Sequence, residues 1–122
     1  MHESAVPADT PVLDMAYLDD MRGWVGDDVL KELLKAAPPN LAAMIEAVRE
    51  AWRNGDVETV REAGHRLKGG ASSIACRRLA DLGQAIQLLK SLDDATLLPR
   101  LDAEERAAMA AIAAYGESAP AG

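Results

Sequence analysis

Phenylalanine is absent from this chain of 122 residues, and tryptophan and tyrosine bring the aromatic share to only 3%. A sheet would draw on aromatic and β-branched side chains, whereas abundant alanine favours helices packed closely on small residues. The one cysteine, Cys76, has no partner for an internal disulfide, which fits a reducing compartment. No apolar run approaches the roughly 20 residues that span a bilayer. The stretch Met1–Pro11 has neither the basic region nor the apolar core of a signal peptide. The expected location is the cytoplasm. A net charge of −7 argues against a nucleic-acid or membrane-surface role for the domain as a whole. His2, His65 and Cys76 are too few and too scattered for a zinc site. No Ser/His/Asp arrangement is evident, and no stretch resembles a kinase ATP site. Gly64-x-x-x-x-Gly69 has the outline of a P-loop, but Gly70-Ala71 stands where Lys-Ser/Thr is required and no strand precedes it.

What is present is helical periodicity, enough for a single domain. Residues 1–12 and 116–122 are small, polar or proline-containing and read as tails around a domain over 13–115. Asp14 caps a short helix over Met15–Arg22, with Leu18 and Met21 on one face. A second begins at Asp27 or Asp28, carries Val29, Leu30, Leu33 and Leu34, and is ended or sharply kinked by Pro38-Pro39. Asn40 caps a third, Leu41–Arg53, in which Leu41, Met44, Ile45, Val48 and Trp52 share a face. In Asn54-Gly55-Asp56, glycine takes the left-handed position that ends this helix and aspartate caps the next. That next helix is Val57–Ala75. A hinge near Cys76 leads to Arg78–Leu92, and Asp93-Asp94 caps a last helix over Ala95–Tyr115, with a bend near Pro99. The expected architecture is all-α: an up-down four-helix bundle with two short N-terminal helices packed on it.

The chain is organised around Val60–Cys76. At 100° per residue, Val60, Leu67 and Ile74 fall within roughly 20° of one line, the core stripe, and His65 points roughly 160° from Leu67. The histidine is therefore outward, on the side of Glu58, Arg61, Glu62, Lys68, Gly69 and Ser72. Its helical neighbours at i−4, i+3 and i+4 are Arg61, Lys68 and Gly69. A glycine at i+4 leaves the ring uncovered, although an interior glycine costs on the order of 1 kcal/mol against alanine. Arg66, Arg77 and Arg78 extend a basic island in an acidic chain. A charge cluster by itself ordinarily marks only a solvated face; beside a clear imidazole it suits a dianionic group and nucleophilic attack on a phosphoryl group.

His65-Arg66-Leu67-Lys68-Gly69-Gly70-Ala71, followed by Ile74 and Leu79-x-x-Leu82, resembles the histidine-containing phosphotransfer (HPt) domains of multistep two-component phosphorelays. The resemblance covers roughly Leu13–Tyr115 and is most specific over residues 64–89. It implies that His65 accepts the phosphoryl group, Lys68 is the cation beside it and Gly69 the clearance position. It also implies a polar side chain of the next helix orienting the histidine, and Gln87 falls there. Geometry agrees, because His65 and Gln87 lie equally far from Cys76 on either arm of a hairpin; Gln84, one turn away, is the second candidate. Three positions depart from the family pattern. Ala75 replaces the common hinge glycine, Gly64 replaces the alanine before the histidine, and Gly70 makes the site more glycine-rich than usual, which should loosen the helix locally.

The implied activity is that of a phosphoryl carrier without its own kinase or ATP site. The implied partners are receiver domains and a sensor or hybrid histidine kinase. The implied cofactor is none on this chain, since magnesium would belong to the receiver's aspartate pocket. A monomer is the simplest state, because each helix can bury its stripe in one bundle. Leu18 and Met21 are expected to contribute an apolar rim for docking. The rival reading is an HPt-like adaptor whose histidine is not phosphorylated. A kinase dimerisation domain fits less well, because Arg66 follows the histidine where an acidic residue is usual and no proline lies between residues 40 and 98.

Overall fold

The computed structural model describes residues 10–118, among which every regular element is a helix. These are α1 (Met15–Val25), α2 (Asp27–Arg53), α3 (Val57–Ser73), α4 (Arg77–Gln87) and α5 (Leu97–Ser118). Helices α2 to α5 form an up-down bundle in which α3 lies against α2 and α4, and α5 closes the ring against α2 and α4. Helix α1 folds back on α2. His2, most of the N-terminal tail and residues 119–122 lie outside the described residues. Pro11 and Val12, in the described part of the first tail, line a groove with Ala111 and Ala114 of α5. Helix α5 continues to Ser118, past the position where the sequence places the second tail.

The bundle has one N-terminal helix packed on it rather than two, because α2 runs unbroken through Pro38 and Pro39 for 27 residues. Each interior proline costs on the order of 3 kcal/mol. The buried positions Leu30, Leu34, Ala37, Leu41, Ile45 and Val48 keep one helical phase across the prolines, which sit off that stripe. Four large side chains where α1 meets α2, Leu18, Met21, Leu30 and Leu34, are buried, worth about 1.5–3 kcal/mol each. A break at the prolines would rotate half of the stripe out of the core. Pro99 bends nothing, because it sits in the first turn of α5, where its missing N–H would have had no helical acceptor.

Helix α4 stops at Gln87, well before the expected Leu92. Leu89 and Leu92 pack against the core from irregular backbone that crosses to α5. Asp94 Oδ1 accepts from the Thr96 amide at 3.1 Å just ahead of α5. Arg49 of α2 binds Asp102 and Glu105 of α5, each at 2.6 Å.

Two turns of one kind end α2 and α3. At the first, Gly55 has φ 72°, its amide donates to Trp52 O and the Asp56 amide to Ala51 O. At the second, the left-handed position is Ala75, φ 63°; its amide donates to Ser72 O at 3.1 Å and the Cys76 amide to Ala71 O at 2.9 Å. Both have the Schellman hydrogen-bond pattern. Asp56 then caps α3 by accepting from Thr59 N at 3.2 Å, as expected.

Asp14 fastens α1 to the second of these turns. Its amide donates to Ala75 O at 2.9 Å, its Oδ1 accepts from Tyr17 N, and its Oδ2 accepts from Arg77 Nη2 at 2.8 Å. The Arg77 guanidinium, then the Tyr17 amide, holds the Asp14 carboxyl below its ordinary 3.8. A depressed folded-state value means that this stabilisation is complete above the unfolded value and is lost as pH falls through the folded one. Asn caps as well as Asp, so Asp14→Asn removes only the charge pairing. The variant is expected to be less stable than the parent at pH 7, and the gap should close below about pH 4. Denaturant melts of both proteins across that range check this; a gap independent of pH would show that the pairing contributes nothing.

Candidate functional site

The outward face of α3 exists because its inward face is fully committed. Val60, Ala63, Gly64, Leu67 and Ala71 are buried, while Arg61, Glu62, His65, Arg66 and Gly69 are exposed. His65 lines a cleft of about 390 Å³ with Glu58, Arg61, Glu62, Arg66 and Gln87. The α3–α4 hairpin therefore brings His65 and Gln87 to the same level, one from each arm.

The closeness of the two arms comes from glycine. A Cβ on Gly64 would lie 2.7 Å from Ile86 Cγ2 and 2.9 Å from the Gln87 amide nitrogen. A Cβ on Gly83 would lie 2.8 Å from Lys68 N and 2.9 Å from Gly64 O. Gly64 is thus the contact surface for α4, directly before the histidine. Gly70 faces Met44 of α2, whose flexible thioether end can move aside. Gly69 has nothing within 4 Å of a would-be Cβ, which leaves open space on the turn beside His65.

The polar residues fall into two groups. Arg61 Nε donates to Gln87 O at 3.0 Å and its Nη1 lies 3.5 Å from Glu58 Oε2. Arg61 thereby satisfies a terminal carbonyl of α4, in the manner of basic residues at helix C-termini. The Gln87 Oε1 atom is buried without a hydrogen-bond partner among the described residues. An acceptor so placed costs about 1–3 kcal/mol when unsatisfied, and it belongs to a residue that lines the histidine cleft. Lys68 and Gln84 form the second group: Lys68 Nζ donates to Gln84 Oε1 at 2.7 Å, and neither residue lines the cleft.

The basic island is smaller than the sequence suggests. Arg77 is taken by Asp14, and Arg78 Nη2 binds the buried Glu104 of α5 at 2.7 Å. Both arginines sit at the hinge, the end of the hairpin away from His65, so only Arg61, Arg66 and Lys68 remain near the histidine. The expected apolar rim also moves. Leu18 and Met21 are 0% and 7% exposed and belong to the core. The spacing that puts them on one face of α1 marks the face turned inward. Leu88, to which the helical pattern assigns no role, is 61% exposed directly after Gln87. Its sequence signal is its offset, one residue away from the Leu79, Leu82, Ile86, Leu89 stripe.

The one cysteine does not compete for the site. Burial pushes the Cys76 thiol up to about 11, leaving it protonated and inert. Among the described residues no group of three His, Cys, Asp or Glu side chains is placed to hold a metal, and no helix is long and apolar enough to cross a membrane.

Alanine at the two glycines flanking this turn should act in opposite directions. Gly64→Ala drives a methyl into the α4 backbone and is expected to cost about 1–3 kcal/mol. Gly69→Ala enters open space and is expected to stabilise by about 0.5–1 kcal/mol. Urea unfolding of both variants measures the two values; equal signs would contradict the assigned packing.

No curated protein sequence matches the chain. The crystal structure of histidine-containing phosphotransfer protein B (HptB) from Pseudomonas aeruginosa PAO1 matches it in fold, with a TM-score of 0.68 at 18% identity. That match covers 92% of this chain and 100% of the other. The family model for the Hpt domain matches residues 28–114, from the start of α2 nearly to the end of α5. The hairpin, its exposed histidine and most of the bundle that carries them lie within that span, and the chain belongs to the Hpt domain family.

Proposed function

We propose that the chain is a phosphoryl carrier in a two-component phosphorelay, with His65 as the acceptor and receiver-domain aspartates as donor and recipient. The observation that carries this reading is the placement of His65, exposed on α3 in a cleft that Gln87 of α4 also lines. In the transfer, one ring nitrogen attacks the phosphorus of an aspartyl phosphate. The N–P bond forms as the acyl P–O bond breaks, and the electron pair leaves with the aspartate carboxylate. The other ring nitrogen keeps its proton, and the ring becomes positive. The buried Gln87 Oε1, which lacks a donor among the described residues, suits that N–H and would fix both tautomer and ring orientation. Lys68 and Arg61 supply positive charge near the transferred dianion, and Gly69 leaves room for it. The reverse step returns the group to a second aspartate. Magnesium and the activating acids belong to the receiver, and a monomeric bundle suffices.

Docking of an acidic receiver pocket would use Arg66 and Arg61 for attraction and the exposed Leu88 as apolar rim beside the cleft. A sensor or hybrid histidine kinase would supply the phosphoryl group to the first receiver. The second reading, a helical adaptor with an idle histidine, makes a different prediction in the same assay.

Mixing the chain with a phosphorylated receiver is expected to give an acid-labile phosphoryl group on the wild type and none on His65→Gln. Failure to label with several receivers would favour the adaptor. Lys68→Ala is expected to slow transfer by on the order of tenfold to a hundredfold, with the helical circular dichroism unchanged. Wild-type rates would remove Lys68 from the mechanism.

A further inference from the structure

Lys68 and Gln84 meet because Gly83 lies between them. A Cβ on Gly83 would stand 2.8 Å from Lys68 N and 3.0 Å from Lys68 Cα, so the α4 backbone rests against α3 at that turn. Gln84, the next residue, reaches over this contact, and its Oε1 accepts from Lys68 Nζ at 2.7 Å. Both side chains are half-buried. The ammonium therefore rests on α4, outside the cleft that His65 shares with Arg61, Arg66 and Gln87. Lys68 is nonetheless at i+3 from His65, within one helical turn, and its long stem allows the ammonium to swing.

We propose that Gln84 is a positioning residue for Lys68: it holds the ammonium aside while His65 is unmodified and yields it to the phosphoryl group after transfer. The proposal rests on His65 being the acceptor. Its physical basis is the neutrality of the amide. A hydrogen bond between an ammonium and an amide oxygen has charge on one side only. One between an ammonium and a phosphoryl oxygen has charge on both and is stronger. An arriving phosphoryl group thus takes the lysine without breaking an ion pair, and its departure returns the lysine to a defined place. A carboxylate at the same position would compete with the phosphoryl group for the lysine. Gln84 accordingly has a role distinct from Gln87: Gln84 addresses the cation and Gln87 the ring.

Gln84→Glu tests this, because it keeps size and reach while turning the resting hydrogen bond into an ion pair. Initial rates of transfer from a receiver phosphorylated with acetyl phosphate are compared for wild type, Gln84→Glu, Lys68→Ala and the double variant. Circular dichroism and thermal midpoints check that all four are folded. Gln84→Glu is expected to slow transfer on the order of tenfold, and the double variant to match Lys68→Ala within about twofold. In parallel, the wild-type chain is phosphorylated with phosphoramidate. The Lys68 Nζ resonance, followed by NMR, is expected to shift on phosphorylation in wild type and to stay unmoved in Gln84→Glu. A Gln84→Glu chain that transfers at the wild-type rate overturns the positioning role. So does one that slows Lys68→Ala by its full factor, because the carboxylate then acts by general repulsion. So does a Lys68 resonance indifferent to phosphorylation. Those outcomes leave His65 as acceptor. A wild-type chain that takes no label on His65 from either donor overturns the phosphotransfer reading itself, and the positioning role with it.

Discussion

Backbone contact between α3 and α4 sets the geometry from which the rest of the site follows. Gly64 and Gly83 face each other across it, each leaving no room for a Cβ between the helices. Two interior glycines cost on the order of 2 kcal/mol in helix propensity. The large side chains that the approach lets the arms bury together, Val60, Leu67, Leu79, Leu82 and Ile86, are worth about 1.5–3 kcal/mol each. The balance favours contact. The consequence for the site is reach: side chains one residue from the contact can bridge the helices, as Gln84 does to Lys68, and Arg61 likewise reaches Gln87 O. A site shared between two helices becomes as rigid as their packing.

The same hairpin separates two kinds of cation. At the hinge end, Arg77 and Arg78 meet carboxylates, Asp14 and the buried Glu104, and their charge is neutralised in place. At the histidine end, Lys68 meets an amide and Arg61 a backbone carbonyl. The second set is held in position by neutral acceptors, with the exposed Glu58 beside Arg61 and with Glu62 also on the cleft. In an acidic chain this leaves Arg61, Arg66 and Lys68 against two carboxylates at the histidine end. That balance comes from the choice of partners, which composition does not record.

Much of this is legible in the sequence because it is periodic. The heptad spacing of Val60, Leu67 and Ile74 is enough to turn His65 outward, and a hairpin about Cys76 is enough to bring Gln87 to its level. The cap at Asp56 and the left-handed Gly55 carry local signals and stand where those signals put them. The pattern misleads where a local rule meets a tertiary one. Proline signals a break, but the stripe from Leu30 to Val48 keeps phase through Pro38-Pro39 and the core holds the helix together. Leu18 and Met21 look available for docking on one face of α1; whether that face is covered depends on α2 folding back upon it. Gly64 looks like no more than a departure from the family's alanine, because its reason for being glycine, Ile86, lies a whole arm of the hairpin away. Arg77 and Arg78 count as site cations only until the hinge places Asp14 and Glu104 beside them.

Ala75 shows how far such tertiary support extends. A left-handed alanine costs roughly 1–2 kcal/mol relative to a right-handed one, and glycine is the residue expected at a Schellman turn. Here glycine would gain little. It would relieve that strain but forfeit a buried methyl, worth about 0.8 kcal/mol. It would also add unfolded-state freedom worth roughly 0.5–1 kcal/mol. The terms cancel to within their size, so alanine is tolerated provided the turn is otherwise secured. It is secured from three sides: by its two capping hydrogen bonds, by the buried Ile74 and Cys76 that flank it, and by the Asp14 amide on its carbonyl. The last of these makes α1 part of the hinge. Asp14 also holds Arg77, the first residue of α4, so one side chain and its own amide fix where α3 ends and where α4 begins. The hinge in turn fixes the register of the hairpin, and that register is what brings the α4 glutamines beside His65 and Lys68. Helix α1 thus acts on the site without touching it, through a strained alanine whose conformation it helps to hold.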